Sequence, residues 1–301
     1  MRTLIDGSTQ LAGVIGWPLD HTLSPAMHNA AYEALGLNWV YLPLPVRDEI
    51  GLARVVAAAR ALPFVGFNVT MPYKQVMLEL CDEVAAQARL AGAVNTVHVR
   101  NGVLMGYNTD GRGLLESLRD EAGFTPAGRR IAIIGAGGAA AAVLATLALE
   151  HASHVSVISR NLSRAEELVA RVGVCARDAE IVAVQSGPDA QRFVSEADVI
   201  VNATPLGMKR GDPLPVQPEW LREGQIVSDM VYRPVETPLL AAAAAAGAIA
   251  VAGIGMLVAQ GAIAMEIWNS DSSVVAPRDI MRSAVDEALA TRASETAGGG
   301  E

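Results

Sequence analysis

The chain has 301 residues and a formal net charge of −9, with 51% hydrophobic but only 4% aromatic residues. At roughly 100 to 200 residues per domain, this length predicts two domains. The negative net charge, without any run of like charge, argues against a nucleic-acid-binding protein. Alanine supplies 52 of the hydrophobic residues, which indicates cores built from closely packed helices of small residues.

Cysteine and lysine are both rare. Cys81 and Cys175 lie far apart and without a partner motif, which argues against a disulfide framework or a thiolate zinc site, so no metal is expected. Residues 1–10 lack the apolar segment of a signal peptide, and we therefore expect a cytoplasmic protein. Of the 23 basic residues only two are lysines, Lys74 and Lys209.

The uncharged segment 237–265 is long enough to span a bilayer. Its hydrophobicity comes mostly from alanine, and Gly247, Gly253, Gly255 and Gly261 interrupt it. Such breaks at bilayer depth would leave backbone groups without hydrogen-bond partners. The pattern therefore favours a helix, a strand, a turn and a second helix in an α/β core over a membrane span.

Short apolar runs alternate with helical patterns along nearly the whole chain, which is typical of βαβ units around a mostly parallel sheet. Ser24 is predicted to cap a helix in which Pro25 takes the first position, and Asp48 to cap the next one. In the first third we predict strands at 11–16, 40–44 and 64–68, helices at 24–35 and 48–62, and a hairpin joining 93–100 to 103–107 through Asn101 and Gly102.

A second α/β series follows a helix from Asp110 to about Glu121 and a Gly/Pro/basic stretch at 123–130. Its six strands match a doubly wound nucleotide-binding sheet. We predict these strands at 130–134, 154–159, 181–184, 199–202, 226–230 and 249–252. The last two helices, 256–268 and 277–291, are expected to return to the first block, and the tail 294–301 is expected to be disordered.

A glycine turn follows the strand at 131–134 and reads Gly135-Ala136-Gly137-Gly138-Ala139-Ala140. Gly135 permits a tight turn, Gly137 lets the backbone approach a pyrophosphate, and Ala140 lets helix and strand pack closely. The N-terminus of the following helix adds amide donors and a partial positive charge. The turn therefore predicts a dinucleotide site, and a flavodoxin-like domain is the open alternative.

The end of the next strand distinguishes NADP from NAD. An NAD site usually has an acidic residue there for the ribose 2′-hydroxyl, but this chain has Ser159, Arg160 and Arg164. Two guanidinium groups can clamp a 2′-phosphate, so NADP is the predicted cofactor. The alternative is that the two arginines only form a solvated helix start.

Polar residues follow four predicted strands, at the edge where ligands bind in open α/β sheets. Their hydroxyl and amide groups suit a small polyhydroxylated substrate. Taken singly, each segment could instead cap a helix or fix a turn. The four segments are His21-Thr22-Leu23-Ser24-Pro25 and residues 68–74, 92–96 and 108–110.

These pieces, with the glycine turn, residues 202–208 and Gln260-Gly261, resemble shikimate dehydrogenases in type and order over about residues 11–290. The resemblance implies two α/β domains: an N-terminal substrate domain and a Rossmann-type NADP domain. It also implies reduction of 3-dehydroshikimate to shikimate, within chorismate and aromatic amino acid biosynthesis. The expected limits are 1–111 for the substrate domain, 112–255 for the NADP domain and 256–293 for C-terminal helices on the substrate domain.

The resemblance also implies residue roles. Lys74 and Asp110 would be catalytic, flanking the reacting carbon, with Lys74 as the proton donor. Thr22 and Ser24 would bind the substrate carboxylate. Other implied substrate residues are Thr70, Asn95, Asp110 and Gln260 at the ring hydroxyls and Tyr232 beside the nicotinamide. The implied cofactor residues are Gly135, Ala136, Gly137, Gly138, Ala139, Ser159, Arg160, Arg164, Thr204, Gly207, Met208, Met230, Gly253 and Met256, with core packing as the alternative for Tyr232 and Met256.

Trp17 and Thr22 depart from the family, which more often has Asn and Ser at these positions. The methyl group of Thr22 can change substrate discrimination by roughly 1 to 3 kcal/mol. The preference among shikimate, quinate and aminoshikimate therefore stays open, and a broader quinate/shikimate dehydrogenase is the main alternative. A non-catalytic shikimate or quinate sensor is a further alternative. Small molecules are the expected partners, without nucleic acid or membrane, and a homodimer is left open.

Overall fold

The computed structural model describes residues 5–176, 179–269 and 274–298, with side chains up to residue 292. The chain separates into two compact units. Unit 1 contains residues 1–89, 93–109 and 258–301, and unit 2 contains residues 90–92 and 110–257. The predicted domain limits, after residues 111 and 255, lie two residues from these divisions.

The elements in chain order fall into two series. The first comprises β1 (Gln10–Gly16), α1 (Ser24–Ala34), β2 (Trp39–Pro45), α2 (Glu49–Ala59), β3 (Phe64–Val69), α3 (Met77–Leu80), β4 (Glu83–Val84), α4 (Ala86–Ala91), β5 (Thr96–Arg100) and β6 (Val103–Tyr107). The second comprises α5 (Asp110–Ala122), β7 (Arg130–Ile134), α6 (Gly138–Leu149), β8 (His154–Ser159), α7 (Leu162–Gly173), β9 (Glu180–Gln185), α8 (Gln191–Ser195), β10 (Val199–Asn202), β11 (Ile226–Asp229), α9 (Pro238–Ala245), β12 (Ile249–Val251), α10 (Gly253–Trp268) and α11 (Arg278–Gly298).

The sheet of unit 1 has the strand order β2-β1-β3-β5-β6-β4 and is mixed, with three parallel and two antiparallel pairings. β1 runs parallel to β2 and β3, whereas β5 is antiparallel to both β3 and β6. The predicted hairpin joins β5 to β6. Asn101 and Gly102 have φ angles of 52° and 77°, and the flanking Arg100 and Val103 pair, as in a tight two-residue turn.

The start of α1 differs from the prediction. Leu23 occupies the N-cap position and has no side-chain cap bond, so Ser24 is the first helical residue and Pro25 the second. The Ser24 backbone N–H instead donates to Thr22 Oγ1 at 3.3 Å. A serine one position further along a helix cannot reach the cap geometry, and its hydroxyl is left for other contacts. Asp48 does cap α2, by accepting from the Gly51 N–H at 2.7 Å.

The core of unit 1 forms where the apolar faces of its sheet meet helices. Ile15, Phe67 and Leu104 come from three strands and are fully buried. On the other side, α11 packs against α1, and the indole N–H of Trp268 at the end of α10 donates to the Val97 carbonyl at 2.9 Å. α11 and the part of α10 from Val258 onward therefore belong to unit 1, whereas the first turn of α10 belongs to unit 2.

The sheet of unit 2 is parallel throughout and has the order β9-β8-β7-β10-β11-β12. Numbered within the unit this is 3-2-1-4-5-6, the order of a dinucleotide-binding Rossmann sheet. Valine, isoleucine and alanine fill both sides of it, and alanines of α6 lie in the same core. The alanine-rich composition thus serves close packing of a helix on a sheet.

The uncharged segment at 237–265 folds as predicted into a helix, a strand and a helix, namely α9, β12 and α10. Among the described residues, none of the helices combines the length and hydropathy needed to cross a membrane. The prediction of a disordered tail from Ser294 is wrong over its first five residues, because α11 continues to Gly298. Ala293 and Ala297 favour helix there. Residues 299–301 lie outside the described part of the chain.

Candidate active site

Three of the four predicted polar segments are joined at one edge of the unit 1 sheet. The Thr70 N–H donates to the Ile15 carbonyl at 2.8 Å, which ties the end of β3 to the end of β1. The Val69 N–H donates to the Asn95 carbonyl at 2.8 Å, and the Asn95 N–H donates to the Tyr107 carbonyl at 3.0 Å. Antiparallel pairing places the start of β5 beside the ends of β3 and β6.

Lys74 lies three residues before the first residue of the short helix α3 and is partly buried. Its carbonyl accepts from the Val94 N–H at 2.8 Å, so the backbone of Lys74 lies beside the segment that carries Asn95. The preceding residue, Tyr73, is buried, and its hydroxyl donates to the Val46 carbonyl at 2.8 Å. The lysine backbone is therefore held from two sides.

Asp110 follows the last residue of this part of unit 1 and begins α5 in unit 2. Its side chain is 5% exposed, although an ionised carboxylate is expensive to bury. A carboxylate in the first turn of a helix is stabilised by the helix dipole. Burial at such a position is typical of a group with a role in binding or catalysis.

The side chain of Asn95 is held by hydrogen bonds to Thr109. Its Oδ1 accepts from the Thr109 N–H at 2.8 Å, and its Nδ2 donates to Thr109 Oγ1 at 3.0 Å. Thr109 Oγ1 in turn lies 3.5 Å from Gln260 Oε1 on α10. The side chains of Asn95 and Gln260 are therefore linked through one threonine.

Thr22 and Ser24 occupy the loop after β1 and the first position of α1. The Thr22 carbonyl accepts from Arg292 Nη2 of α11 at 3.1 Å, which holds this loop from the outside. Ser24 is 9% exposed, and its backbone amide begins the helix. Two hydroxyl groups and a helix start make a suitable site for a carboxylate.

Three further buried polar residues lie beside this edge, Tyr41, Asn68 and Thr96. The sequence placed Asn68 and Thr96 in two of the predicted polar segments but gave none of the three an individual role. The Tyr41 hydroxyl donates to Asn68 Oδ1 at 2.7 Å, and Asn68 Nδ2 donates to Thr96 Oγ1 at 3.1 Å. The one available signal was Asn68 itself, a polar residue within the apolar strand Phe64–Val69. A buried amide requires hydrogen-bond partners, but its sequence does not name them.

In unit 2 the glycine turn has the geometry of a phosphate-binding loop. Gly135 has a φ of 114°, and a Cβ atom there would lie 3.0 Å from Thr204 Cγ2, so the position needs glycine. A Cβ on Gly137 or Gly138 would meet nothing within 4 Å, which leaves open space above the N-terminus of α6. The first turn of α6 has no acidic residue. The loop therefore fits a dinucleotide pyrophosphate.

The two arginines follow the strand beside this turn, with Arg160 directly after β8 and Arg164 in the first turn of α7. The Gly135 N–H donates to the Ile158 carbonyl at 2.8 Å, which fixes the turn against the end of β8. Ser159 ends that strand, and Arg160 and Arg164 are both exposed. Asn161 caps α7 by accepting from the Arg164 N–H at 3.2 Å. Within the described chain neither guanidinium has an ion-pair partner, and both are therefore accessible to a phosphate.

A buried polar group organises the loops after β10 and β11. Asp229 accepts from Asn202 Nδ2 at 2.9 Å and from the Thr237 hydroxyl at 2.7 Å. Burial raises the pKa of Asp229, while these hydrogen bonds lower it. Asn202 Oδ1 also accepts from the Thr204 hydroxyl at 2.6 Å. This group holds in place two loops that carry predicted cofactor residues, Thr204, Gly207 and Met208 after β10 and Met230 after β11.

The other predicted cofactor residues differ in exposure. Gly207 adopts a φ of 100°, which suits glycine, and the neighbouring Met208 is 50% exposed. Met256 is 8% exposed and packs in the main core of unit 2, with Met230 partly buried against it. Gly253 lies against the backbone carbonyls of residues 229 and 231. Tyr232 follows β11 and is partly exposed.

Comparison with known proteins identifies the family. A model of the shikimate dehydrogenase substrate binding domain matches residues 14–97, and a model of shikimate / quinate 5-dehydrogenase matches residues 119–207. A shikimate dehydrogenase (NADP(+)) of Methanopyrus kandleri is 46% identical over 291 residues, which cover 95% of this chain and 98% of that protein. The chain belongs to the shikimate dehydrogenase family.

Solved structures of shikimate dehydrogenases agree with this membership. One in complex with NADP+ is 36% identical, has a TM-score of 0.86, and is matched over 95% of this chain and 98% of its own. The enzyme of Listeria monocytogenes in complex with shikimate and NAD is 37% identical, has a TM-score of 0.85, and is matched over 93% and 97%. The predicted family and the two α/β domains of a shikimate dehydrogenase are confirmed.

Proposed function

We propose that this protein catalyses the NADPH-dependent reduction of 3-dehydroshikimate to shikimate. Its relatives are named shikimate dehydrogenase (NADP(+)). The observation that carries the proposal is the presence in one chain of both halves of such a site. Unit 1 offers hydroxyl and amide groups at one sheet edge with Lys74 beside them, and unit 2 offers a glycine turn flanked by two exposed arginines. Each half alone would suit many enzymes.

The substrate side needs to recognise a carboxylate and several ring hydroxyls. In our proposal Thr22 and Ser24 bind the carboxylate at the start of α1. Asn95, Thr70 and Gln260 bind ring hydroxyls, which are both donors and acceptors and so suit amide and hydroxyl partners. In the same proposal Tyr232 lies beside the substrate carbon that accepts the hydride.

Proton transfer falls to Lys74 and Asp110. When bound, NADPH supplies the hydride to the substrate carbonyl carbon. The carbonyl oxygen becomes negatively charged as the hydride is transferred, so it needs a nearby positive charge and then a proton. The ammonium group of Lys74 provides both, and the carboxylate of Asp110 accepts a hydrogen bond from the hydroxyl group once it has formed.

The cofactor side follows from the loop geometry. The amides at the start of α6 bind the pyrophosphate, and Arg160 and Arg164 bind the 2′-phosphate through charge-assisted hydrogen bonds. Ser159 at the end of β8 is neutral and does not repel that phosphate. We propose on this basis that NADP is preferred over NAD.

The chain offers a matched control for the role of Lys74, because Lys209 is its one other lysine and lies in an exposed turn. Lys74→Ala is expected to lower kcat by roughly 10²- to 10⁴-fold, the range of a lost general acid. Lys209→Ala is expected to keep the wild-type kcat. Steady-state oxidation of NADPH with 3-dehydroshikimate measures both. Wild-type turnover by Lys74→Ala would remove the lysine from the mechanism.

A quinate/shikimate dehydrogenase of broader specificity is the second candidate, and Thr22 favours considering it. The methyl group of this threonine alters the space around the substrate carboxylate by one carbon. Thr22→Ser is expected to change the kcat/KM ratio between dehydroshikimate and dehydroquinate by roughly 10-fold. We also propose a cytoplasmic location, which rests on the two free cysteines, Cys81 and Cys175.

A further inference from the structure

A continuous series of six hydroxyl and amide side chains, five of them buried, crosses unit 1 and includes two of the proposed substrate residues. We call it the Tyr41 chain. Its members are Tyr41, Asn68, Thr96, Asn95, Thr109 and Gln260. The first five are each less than a tenth exposed. Asn95 and Gln260 are proposed substrate residues, whereas Tyr41, Asn68 and Thr96 have no role in the mechanism above.

The first half of the chain has short bonds of definite direction. The Tyr41 hydroxyl has one hydrogen and donates it to Asn68 Oδ1 at 2.7 Å. The amide nitrogen of Asn68 then faces the other way and donates to Thr96 Oγ1 at 3.1 Å and to the Asn95 carbonyl at 3.3 Å. Because Thr96 Oγ1 accepts this bond, its own hydrogen goes to Asn95 Oδ1 at 2.9 Å.

The second half of the Tyr41 chain connects Asn95 through Thr109 to Gln260. Asn95 Oδ1 accepts from Thr96 and also from the Thr109 N–H at 2.8 Å, so both of its lone pairs are used. Asn95 Nδ2 donates to Thr109 Oγ1 at 3.0 Å. Thr109 Oγ1 also lies 3.3 Å from the filled Asn95 Oδ1, 3.2 Å from Thr96 Oγ1 and 3.5 Å from Gln260 Oε1, so its hydrogen can be accepted by either Thr96 or Gln260. The last of these contacts places the Gln260 amide oxygen toward Thr109.

Tyr41 also meets the other end of the substrate site. Burial raises the pKa of Tyr41, and a hydrogen bond with the Ser24 side chain acts in the opposite direction. Ser24 is a proposed ligand of the substrate carboxylate. The phenol group therefore contacts one proposed substrate residue directly and lies at the start of a chain that reaches two more.

We propose that Tyr41 is a positioning residue for substrate recognition, because its hydroxyl sets the donor–acceptor order that holds the Asn95 and Gln260 amides as the ring hydroxyls require. The inference rests on the proposed function, in which these two amides bind the ring. Without the phenol hydrogen, Asn68 Oδ1 loses its donor. The Asn68 amide can then rotate, and the order of the chain is no longer fixed.

The chain offers a matched pair of variants. Tyr41→Phe removes the hydroxyl and keeps the ring, which stacks on His28 with centroids 4.3 Å apart. The control is Tyr32→Phe, because Tyr32 is equally buried but its hydroxyl has no partner within the described residues. The two changes remove the same atom from the same aromatic cluster, and only Tyr41→Phe interrupts the hydrogen bonds of the Tyr41 chain.

Tyr41→Phe is expected to raise KM for shikimate about 10-fold, with kcat within about 3-fold of wild type and KM for NADP+ unchanged. Tyr32→Phe is expected to leave all three constants at wild-type values. Thr96→Val interrupts the chain at its middle and is expected to reproduce the Tyr41→Phe pattern. It also provides the test if Tyr41→Phe does not fold.

Shikimate analogues that lack the 4- or the 5-hydroxyl separate positioning from a general loss of structure. If Tyr41 acts through the amides on a ring hydroxyl, the penalty of Tyr41→Phe shrinks to about 2-fold or less with the matching analogue. An equal penalty with shikimate and both analogues would overturn the proposal, as would an unchanged KM in both variants. A wild-type protein without shikimate turnover would reject the proposed function and this proposal with it. Normal wild-type turnover with unaffected variants would reject the proposal alone.

Discussion

His28 on α1 is a buried histidine whose charge state should control the acid stability of unit 1. Its side chain is 0% exposed, and neither ring nitrogen has a hydrogen-bond partner among the described residues. The ring stacks on Tyr41 and lies 5.5 Å from the centroid of Trp268. Desolvation lowers the pKa of His28 from 6.5 to about 3. The folded protein therefore keeps the imidazole neutral where the unfolded chain protonates it.

The direction of the effect follows from proton binding. Between pH 6.5 and 3 the unfolded chain binds one proton more than the folded protein, so the free energy of unfolding decreases as the pH falls. At pH 7.5 the contribution is close to zero. At pH 4.5 two pH units separate the solution from the unfolded pKa, and at roughly 1.4 kcal/mol per unit the loss is about 3 kcal/mol.

His28→Phe keeps a ring of similar shape and removes the titration. We expect the variant to lose about 3 kcal/mol less stability than wild type between pH 7.5 and pH 4.5. Urea denaturation followed by tryptophan fluorescence measures this difference, since Trp268 lies in the same cluster. As a control, His151→Asn removes an exposed histidine and should keep the wild-type loss. An equal loss in wild type and His28→Phe would refute the assignment of acid lability to this ring.

Two further variants test unit 2. Replacing both Arg160 and Arg164 by Ala should raise KM for NADPH by on the order of 100-fold and KM for NADH by less than about 3-fold, because only NADPH carries the 2′-phosphate; equal effects on both cofactors would contradict the clamp. Gly135→Ala should lower the free energy of unfolding by about 1 to 3 kcal/mol, because an L-residue at a φ of 114° is strained. Gly138→Ala, where a Cβ meets nothing within 4 Å, is its control in thermal denaturation, and equal Tm values would argue against strain at Gly135.

Local chemistry made much of unit 2 predictable. The strand, glycine turn and helix at residues 130–149 depend on neighbours in sequence, and the structure has β7, a left-handed Gly135 and α6 in that order. The six predicted strands are all present within one or two residues of their limits. The parallel order of the sheet followed from alternation of strands and helices, because each crossover is short and its handedness fixed.

Unit 1 was less predictable, because its decisive contacts join residues distant in sequence. The sequence missed the short elements α3, β4 and α4, which have two to six residues and therefore little periodicity. The hydrogen bond between Tyr41 and Asn68 joins residues 27 positions apart, and no local sequence pattern predicts such a contact. The prediction that Ser24 caps α1 was wrong, because Leu23 already has near-helical backbone angles, with φ of −104° and ψ of −6°. Leu23 therefore takes the N-cap position, and Ser24 lies inside the helix.

The central claim is that this chain reduces 3-dehydroshikimate with NADPH. The most direct test is the kcat/KM of the purified protein for 3-dehydroshikimate and 3-dehydroquinate, each with NADPH and with NADH. We predict the highest kcat/KM for 3-dehydroshikimate with NADPH. A preference for 3-dehydroquinate with NADH, or no turnover with any of the four pairs, would contradict the account.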